Sequence, residues 1–212
     1  MAASNGAVHY GLIGLAVMGA NLTLNIADHG FPIAAYNRTH KVTEEFLAGE
    51  AKGKPITGAA TMKEFIASIE RPRRIIILVK AGGAVDAVIA EVKPLLDDGD
   101  VLIDGGNSFF QDTIRRSMEF EGSGLHFMGM GVSGGEEGAR HGPSLMPGGP
   151  REAYDLVAPA LQKISSQFAA SVVQICTCDR ATAICSAAAA LSCRKNEQSA
   201  MMRCHIDWKG RC

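Results

Sequence analysis

Gly14, Ala16 and Gly19 stand between a short apolar run, His9–Ile13, and a helical pattern, Ala20–His29. A glycine, a small residue and a second glycine at this spacing let a strand turn sharply into a helix. The same spacing brings main-chain N–H groups close to an anion, which is the chemistry a dinucleotide pyrophosphate needs. Ala16 in the middle position still permits that approach, though less closely than glycine would. Gly14, Leu15, Ala16, Val17, Met18 and Gly19 are therefore the first candidate binding residues.

The second constellation follows the next apolar run, Ile33–Asn37. About 20 residues beyond such a glycine turn, an NAD site usually carries a carboxylate for the ribose hydroxyls. Here the residues are Asn37, Arg38 and Thr39. A carboxylate would repel a 2′-phosphate, whereas Arg38 can pair with it and Asn37 and Thr39 can hydrogen-bond it. The pattern predicts NADP rather than NAD.

A third segment, Gly129–Gly149, is dense in glycine and offers almost no apolar run for a helix or strand. It is expected to bring backbone N–H groups against a ligand through tight turns rather than to form a surface loop. Glu136 and Glu137 lie within it. Adjacent carboxylates rarely converge on one atom, so both are read as structural or solvated.

The elements that must position these residues alternate. Strand patterns at His9–Ile13, Ile33–Asn37, Ile56–Ala59, Ile75–Val79, Val101–Asp104 and Leu125–Met130 are interleaved with helical patterns. The helices are expected at Ala20–His29, Val42–Ala48, Met62–Ser68, Val85–Leu96, a stretch capped by Asp112 and ending at Glu121, and Arg151–Ile164. Such alternation predicts an α/β fold, a Rossmann-like doubly wound parallel sheet with helices on both faces. Ligands then bind at the carboxyl ends of the strands. That rule selects Gly14–Gly19, Asn37–Thr39, Lys80–Gly83, Gly105–Ser108 and Gly131–Gly135.

Composition sets the remaining bounds. The chain has 212 residues and a formal net charge of −1, without the basic footprint that nucleic acid requires. Met1–Val8 lacks a charged and apolar leader, and no stretch sustains the ~18 apolar residues of a membrane span. A soluble, cytoplasmic protein is expected. All six cysteines fall between Cys176 and Cys212, and Gly210 is the only glycine after Gly149. Residues 1–164 are expected to form the binding domain, and 165–212 a cysteine-rich tail, poorly ordered or partly helical. Cys176 and Cys178 are followed only by unevenly spaced cysteines and lack a repeated knuckle, so no metal site is predicted.

From about Tyr10 to Ile164 the chain resembles the amino-terminal domain of 6-phosphogluconate dehydrogenases, decarboxylating NADP enzymes of the pentose phosphate pathway. The resemblance is carried by Gly11–Gly19, Asn37–Thr39, Leu78–Gly82, Ile103–Ser108 and the run from Gly131 to Gly149. It implies that Gly14–Gly19 hold the pyrophosphate and Asn37–Thr39 the 2′-phosphate end. Val79, Lys80 and Ala81 would line the adenosine and nicotinamide side. Asn107 would touch cofactor and substrate, and Ser133, Gly134 and Gly135 would bind the sugar acid, 6-phosphogluconate.

Similar enzymes carry a catalytic lysine in a Lys-Met-Val-His-Asn-Gly-Ile-Glu-Tyr stretch beyond this domain, and this chain has none. Thr182–Leu191 stands at that distance, with Ala188 about where the lysine belongs, and neither Lys163 nor Lys195 has a matching context. No catalytic residue is therefore assigned, and most of the family's homodimer interface is expected to be missing. The change of character after Lys163 reads as a shifted frame, a retained intron or an alternate exon. Two other functions fit the residues: a non-catalytic NADP-binding fragment or subunit-interaction isoform, and a different 3-hydroxyacid dehydrogenase. The long glycine-rich run disfavours the latter.

Overall fold

The structure is a computed structural model that describes residues 8–168 and 172–173. The cysteine-rich tail, with Thr182–Leu191 and Lys195, lies outside the described residues. Strands β1 (Tyr10–Ile13), β2 (Ile33–Tyr36), β3 (Ile56–Gly58), β4 (Arg74–Ile77), β5 (Val101–Asp104), β6 (His126–Ser133) and β7 (Ser144–Gly148) form one sheet in the order β3-β2-β1-β4-β5-β6-β7. The order reverses between β1 and β4, the switch point of a doubly wound sheet. A separate antiparallel pair joins β8 (Gln167–Phe168) to β9 (Val172–Val173).

Helices α1 (Val17–Asp28), α2 (His40–Ala48), α3 (Met62–Ala67), α4 (Gly83–Val92), α5 (Phe110–Phe120), α6 (Gly135–His141) and α7 (Arg151–Ile164) cover the sheet. The period of two along each strand decides which side they take. Tyr10, Leu12, Ile33, Ala35, Ile76, Val101, Ile103 and Met128 pack toward a core shared with Leu22 and Ile26 of α1, Phe46 of α2 and Val157 and Leu161 of α7. Ile13, Ala34, Tyr36, Ile75, Ile77, Leu102 and Phe127 point the other way, against Phe65 of α3, Val85 and Ile89 of α4 and Phe120 of α5. With both faces buried, the central strands read as nearly continuous apolar runs.

The expected doubly wound parallel sheet is present, and one expectation within it is corrected. At its edge β6 and β7 pair antiparallel, with Ser133 opposite Ser144 and Gly129 opposite Gly148. The glycine-rich stretch 129–149 accordingly folds as strand, helix and strand. Its glycines inside β6 sit where neighbours leave no room, since a Cβ at Gly129 would meet Thr113 Cγ2 at 2.7 Å and one at Gly131 would meet Met146 Cε at 2.9 Å. Packing accounts for these two glycines, whereas Gly134, Gly135, Gly142 and Gly149 have positive φ at the turns between elements.

Smaller shifts have local causes. Helix α1 begins at Val17, directly after the turn, three positions before the expected start. The helix expected through Leu96 ends at Val92 and tightens into a 3₁₀ turn, Lys93–Leu95, at Pro94, because proline cannot donate the helical bond. Phe109, rather than Asp112, is the residue before α5, and Asp112 lies in its first turn, where its charge complements the helix dipole.

The amino edge of the sheet is closed by an ionic cluster. Arg73 donates through Nη1 to Asp100 Oδ2 at 2.7 Å and to Asp97 Oδ2 at 2.8 Å, and through Nε to the Ile66 and Ile69 carbonyls. Asp100 is fully buried and also accepts the Arg73 and Asp97 main-chain N–H groups. Replacing Asp100 with alanine removes the buried one of this cation's two carboxylates and leaves both N–H groups without their acceptor. It is expected to cost about 3 kcal/mol or more in urea unfolding, and a loss under about 1 kcal/mol would show that the cluster is dispensable.

Candidate functional site

The turn after β1 is set by steric closeness. Gly14 has φ +104°, and a Cβ there would lie 2.3 Å from the Leu78 carbonyl oxygen. A Cβ on Gly19 would lie 1.8 Å from the Gly14 carbonyl oxygen. Only glycine fits either position, so α1 starts directly against the strand end. Ala16 precedes that helix and supplies no side-chain cap, and no acid stands in the first turn. The positive end of α1 and its first N–H groups therefore face the edge of the sheet, a site that favours an anion. Helix α3 shows the contrast: Thr61 and Glu64 close its start with a complete capping box.

Asn37 connects this turn to the next. Its Oδ1 accepts from the Leu15 N–H at 3.2 Å, its Nδ2 donates to the Thr39 carbonyl at 3.3 Å, and its own N–H donates to Thr43 Oγ1 at 3.2 Å. Asn37 thus latches the two loops together. Arg38 and Thr39 are exposed beside it. Thr39 makes no side-chain cap to α2, and no carboxylate among the described residues pairs with Arg38. Lys41 adds a second cationic group at the same place, and His40 and Lys41 each face a glutamate one turn along the helix.

Beyond the switch point the loops are tied to the sheet. The Leu78 N–H donates to the Ile13 carbonyl at 2.8 Å, and the Gly105 N–H donates to the Ile77 carbonyl at 2.9 Å. Lys80, Ala81 and Asn107 are exposed on these loops, and Val79 is half-buried. Ser133 ends β6 and is exposed, as are Gly134 and Gly135 at the start of α6. Gly134 has φ +125°, and a Cβ there would meet the Gly138 Cα at 2.9 Å. The residues selected from the sequence thus gather at the carboxyl ends of β1, β2, β4, β5 and β6. Glu136 and Glu137 are exposed in the first turn of α6, and Glu137 faces His141 at 3.8 Å.

Behind the crevice lies a group that sequence pattern did not reveal. Arg116 of α5 is completely buried. Its Nε donates to Asp86 Oδ1 at 2.8 Å, its Nη1 to Asp104 Oδ2 at 3.1 Å and Ser108 Oγ at 3.3 Å, and its Nη2 to the Gly82 carbonyl at 3.1 Å. Asp104, buried at the end of β5, also accepts the Gly106 N–H at 3.0 Å. An acid ending an apolar strand was the one visible signal of a buried partner. Burial works against the Arg116 charge, but the Asp86 hydrogen bond and the fields of Asp86, Asp104 and Asp112 outweigh it and raise its pKa.

Comparison with known proteins settles the family. The family described as the NAD binding domain of 6-phosphogluconate dehydrogenase matches residues 9–178. The chain belongs to this family. Decarboxylating 6-phosphogluconate dehydrogenases of Synechococcus elongatus and Saccharomyces cerevisiae are 60% and 57% identical to it over 158 residues. That span is 74% of this chain but 34% and 32% of theirs, so the chain spans about a third of the length of these curated relatives. The solved 6-phosphogluconate dehydrogenase of Plasmodium falciparum superposes with a TM-score of 0.71 at 44% identity, over 76% of this chain and 34% of that one. A 3-hydroxyisobutyrate dehydrogenase from Salmonella typhimurium, at 20% identity and a TM-score of 0.66, shares the fold alone.

The 6-phosphogluconate dehydrogenase match runs beyond residue 164, through the β8–β9 pair to 178. Lys163 stands in the last turn of α7 with its Nζ 5.5 Å from the Phe31 ring centroid. Among the described residues, no helix is long and apolar enough to cross a membrane, and no His, Cys, Asp or Glu cluster could hold a metal.

The hydrogen bond from Arg116, backed by Arg115, lowers the pKa of Asp86 from 3.8 to about 2. The carboxyl therefore titrates lower folded than unfolded. Its contribution to stability is complete above 3.8 and is lost as pH falls through about 2. Since Asp86 is 39% exposed, solvent screening makes that contribution smaller than the shift alone implies. Asp86→Asn is expected to flatten the acid limb of the stability curve between these values, read by urea unfolding at stepped pH. An unchanged acid limb would mean that Asp86 is not held by Arg116.

Proposed function

We propose that residues 1–164 bind NADP as the cofactor half of a 6-phosphogluconate dehydrogenase site. In this reading the α1 N-terminus, with Gly14, Leu15, Ala16, Val17, Met18 and Gly19, takes the pyrophosphate. Arg38 and Thr39 take the 2′-phosphate, and Asn37 holds their loop against the turn. Val79, Lys80 and Ala81 line the adenosine and nicotinamide side, and Asn107 touches the cofactor. Asn107, with Ser133, Gly134 and Gly135, faces the sugar acid. When bound, the nicotinamide supplies the hydride acceptor for oxidation of a hydroxy acid. The chain's own residues bind and orient it.

One observation carries the choice of NADP: an exposed arginine without a carboxylate partner follows β2 beside an open helix N-terminus. A 2′-phosphate would meet a cation there that no carboxylate among the described residues pairs with. The Plasmodium falciparum enzyme has been solved in complex with its cofactor NADP+ and in complex with its substrate 6-phosphogluconate, and both chemistries suit this edge.

A second reading keeps the binding and drops the catalysis. It is favoured by Thr182–Leu191, which stands at the distance of the family's Lys-Met-Val-His-Asn-Gly-Ile-Glu-Tyr stretch and does not match it. General acid–base help commonly contributes ~10²–10⁴-fold. The full chain, titrated with NADP+ and NAD+ by calorimetry and assayed with 6-phosphogluconate, is expected to prefer NADP+ and to show negligible turnover. Arg38→Ala is expected to weaken NADP+ by about 10–100-fold while leaving NAD+ unchanged. Equal affinity for the two nucleotides in the unsubstituted chain would overturn the NADP assignment. Measurable NADPH formation would overturn the non-catalytic reading.

A further inference from the structure

We propose that Arg116 is a positioning residue for the nicotinamide half of the bound dinucleotide. The inference rests on the dinucleotide reading above. In a doubly wound sheet the two halves of the ligand lie on opposite sides of the switch point. The 2′-phosphate marks the adenosine half, over β1, β2 and β3, leaving the nicotinamide half over β4, β5 and β6.

The loops after β4 and β5 are held by one buried guanidinium. Arg116 grips the 78–83 loop through the Gly82 carbonyl, and the 105–109 loop through Ser108 Oγ and the Asp104 carboxylate. Asp104 passes the constraint to the Gly106 N–H, one residue before Asn107. The fourth partner, Asp86 of α4, fixes the plane of the fork. The exposed faces of the same loops carry Lys80, Ala81 and Asn107. None of the Arg116 hydrogen bonds goes to Gly14–Gly19 or to Asn37–Thr39. Its influence is therefore one-sided.

Stability alone does not explain this cation. A buried ion pair is often no more stabilising than a well-packed apolar substitute. The planar fork offers directional donors to four partners on three elements, which a lysine ammonium cannot reproduce.

The test compares the full chain with Arg116→Lys, which keeps a charge opposite Asp104. Affinities are measured for NADP+ and for 2′,5′-ADP, a fragment carrying only the adenosine end. Amide hydrogen exchange is followed without ligand. The variant is expected to weaken NADP+ by about tenfold and 2′,5′-ADP by less than about twofold, the loss of roughly one or two hydrogen bonds. Exchange is expected to quicken in residues 78–83 and 105–109 but not in 14–19 or 38–41. Equal weakening of both ligands, or unchanged NADP+ affinity with the loops opened, would overturn the proposal. If Arg116→Lys does not fold, Asp86→Asn, which loosens the fork at its exposed partner, is held to the same split between the two ligands. Failure of the dinucleotide reading would appear separately, as an unsubstituted chain that binds neither ligand.

Discussion

Helix α1 lies so close to the turn leaving β1 that no side chain fits between them. A methyl group on Gly19 would overlap the Gly14 carbonyl, and one on Gly14 would overlap the Leu78 carbonyl. That closeness places a helix N-terminus at the switch point of the sheet, with its first N–H groups directed at the crevice and no side chain to satisfy them. The neighbouring loops take their height from the same turn. Asn37 binds the Leu15 N–H, and Leu78 bonds back to the end of β1. A carboxyl edge built in this way leaves a ligand little backbone to reorganise on binding.

The two sides of the crevice are stiffened differently. Beside β2, one latched asparagine supports an exposed cation. On the other side a fully buried arginine ties two loops and two helices together. Charge taken from water costs several kcal/mol unless its hydrogen bonds are met, and Arg116 meets them with two carboxylates, a hydroxyl and a carbonyl. The arginine at the amino edge, Arg73, uses similar chemistry against Asp97 and Asp100 at the opposite end of the strands. Burial of a charge therefore does not by itself mark a site. Its partners do, and only those of Arg116 belong to loops that face the crevice.

Much of this was legible in the sequence because it depends on local pattern. Six parallel strands and their helices follow from the alternation of apolar runs, and the Gly14–Gly19 turn follows from spacing. The antiparallel β7 and the helix α6 did not, because the glycines that open α6 and the Pro147-Gly148 pair that ends the short β7 look in sequence like turn residues. The start of α5 was misplaced because aspartate is a frequent cap, yet Asp112 here complements the dipole from inside the first turn. Arg116 was invisible for another reason: its partners lie 8 to 34 positions away in the chain, and only the folded sheet brings them together. The chain's composition changes after Lys163, yet the family match continues to residue 178, so composition and family membership diverge over that stretch.

The most direct test of a ligand edge shared by these loops is an amide NMR spectrum of the full chain during NADP+ titration. Saturable shifts are predicted in residues 14–19, 37–41, 79–83 and 105–108, with Arg73, Asp97 and Asp100 at the opposite edge unmoved. Shifts confined to the amino edge, or none at all at saturating nucleotide, would contradict a shared ligand edge.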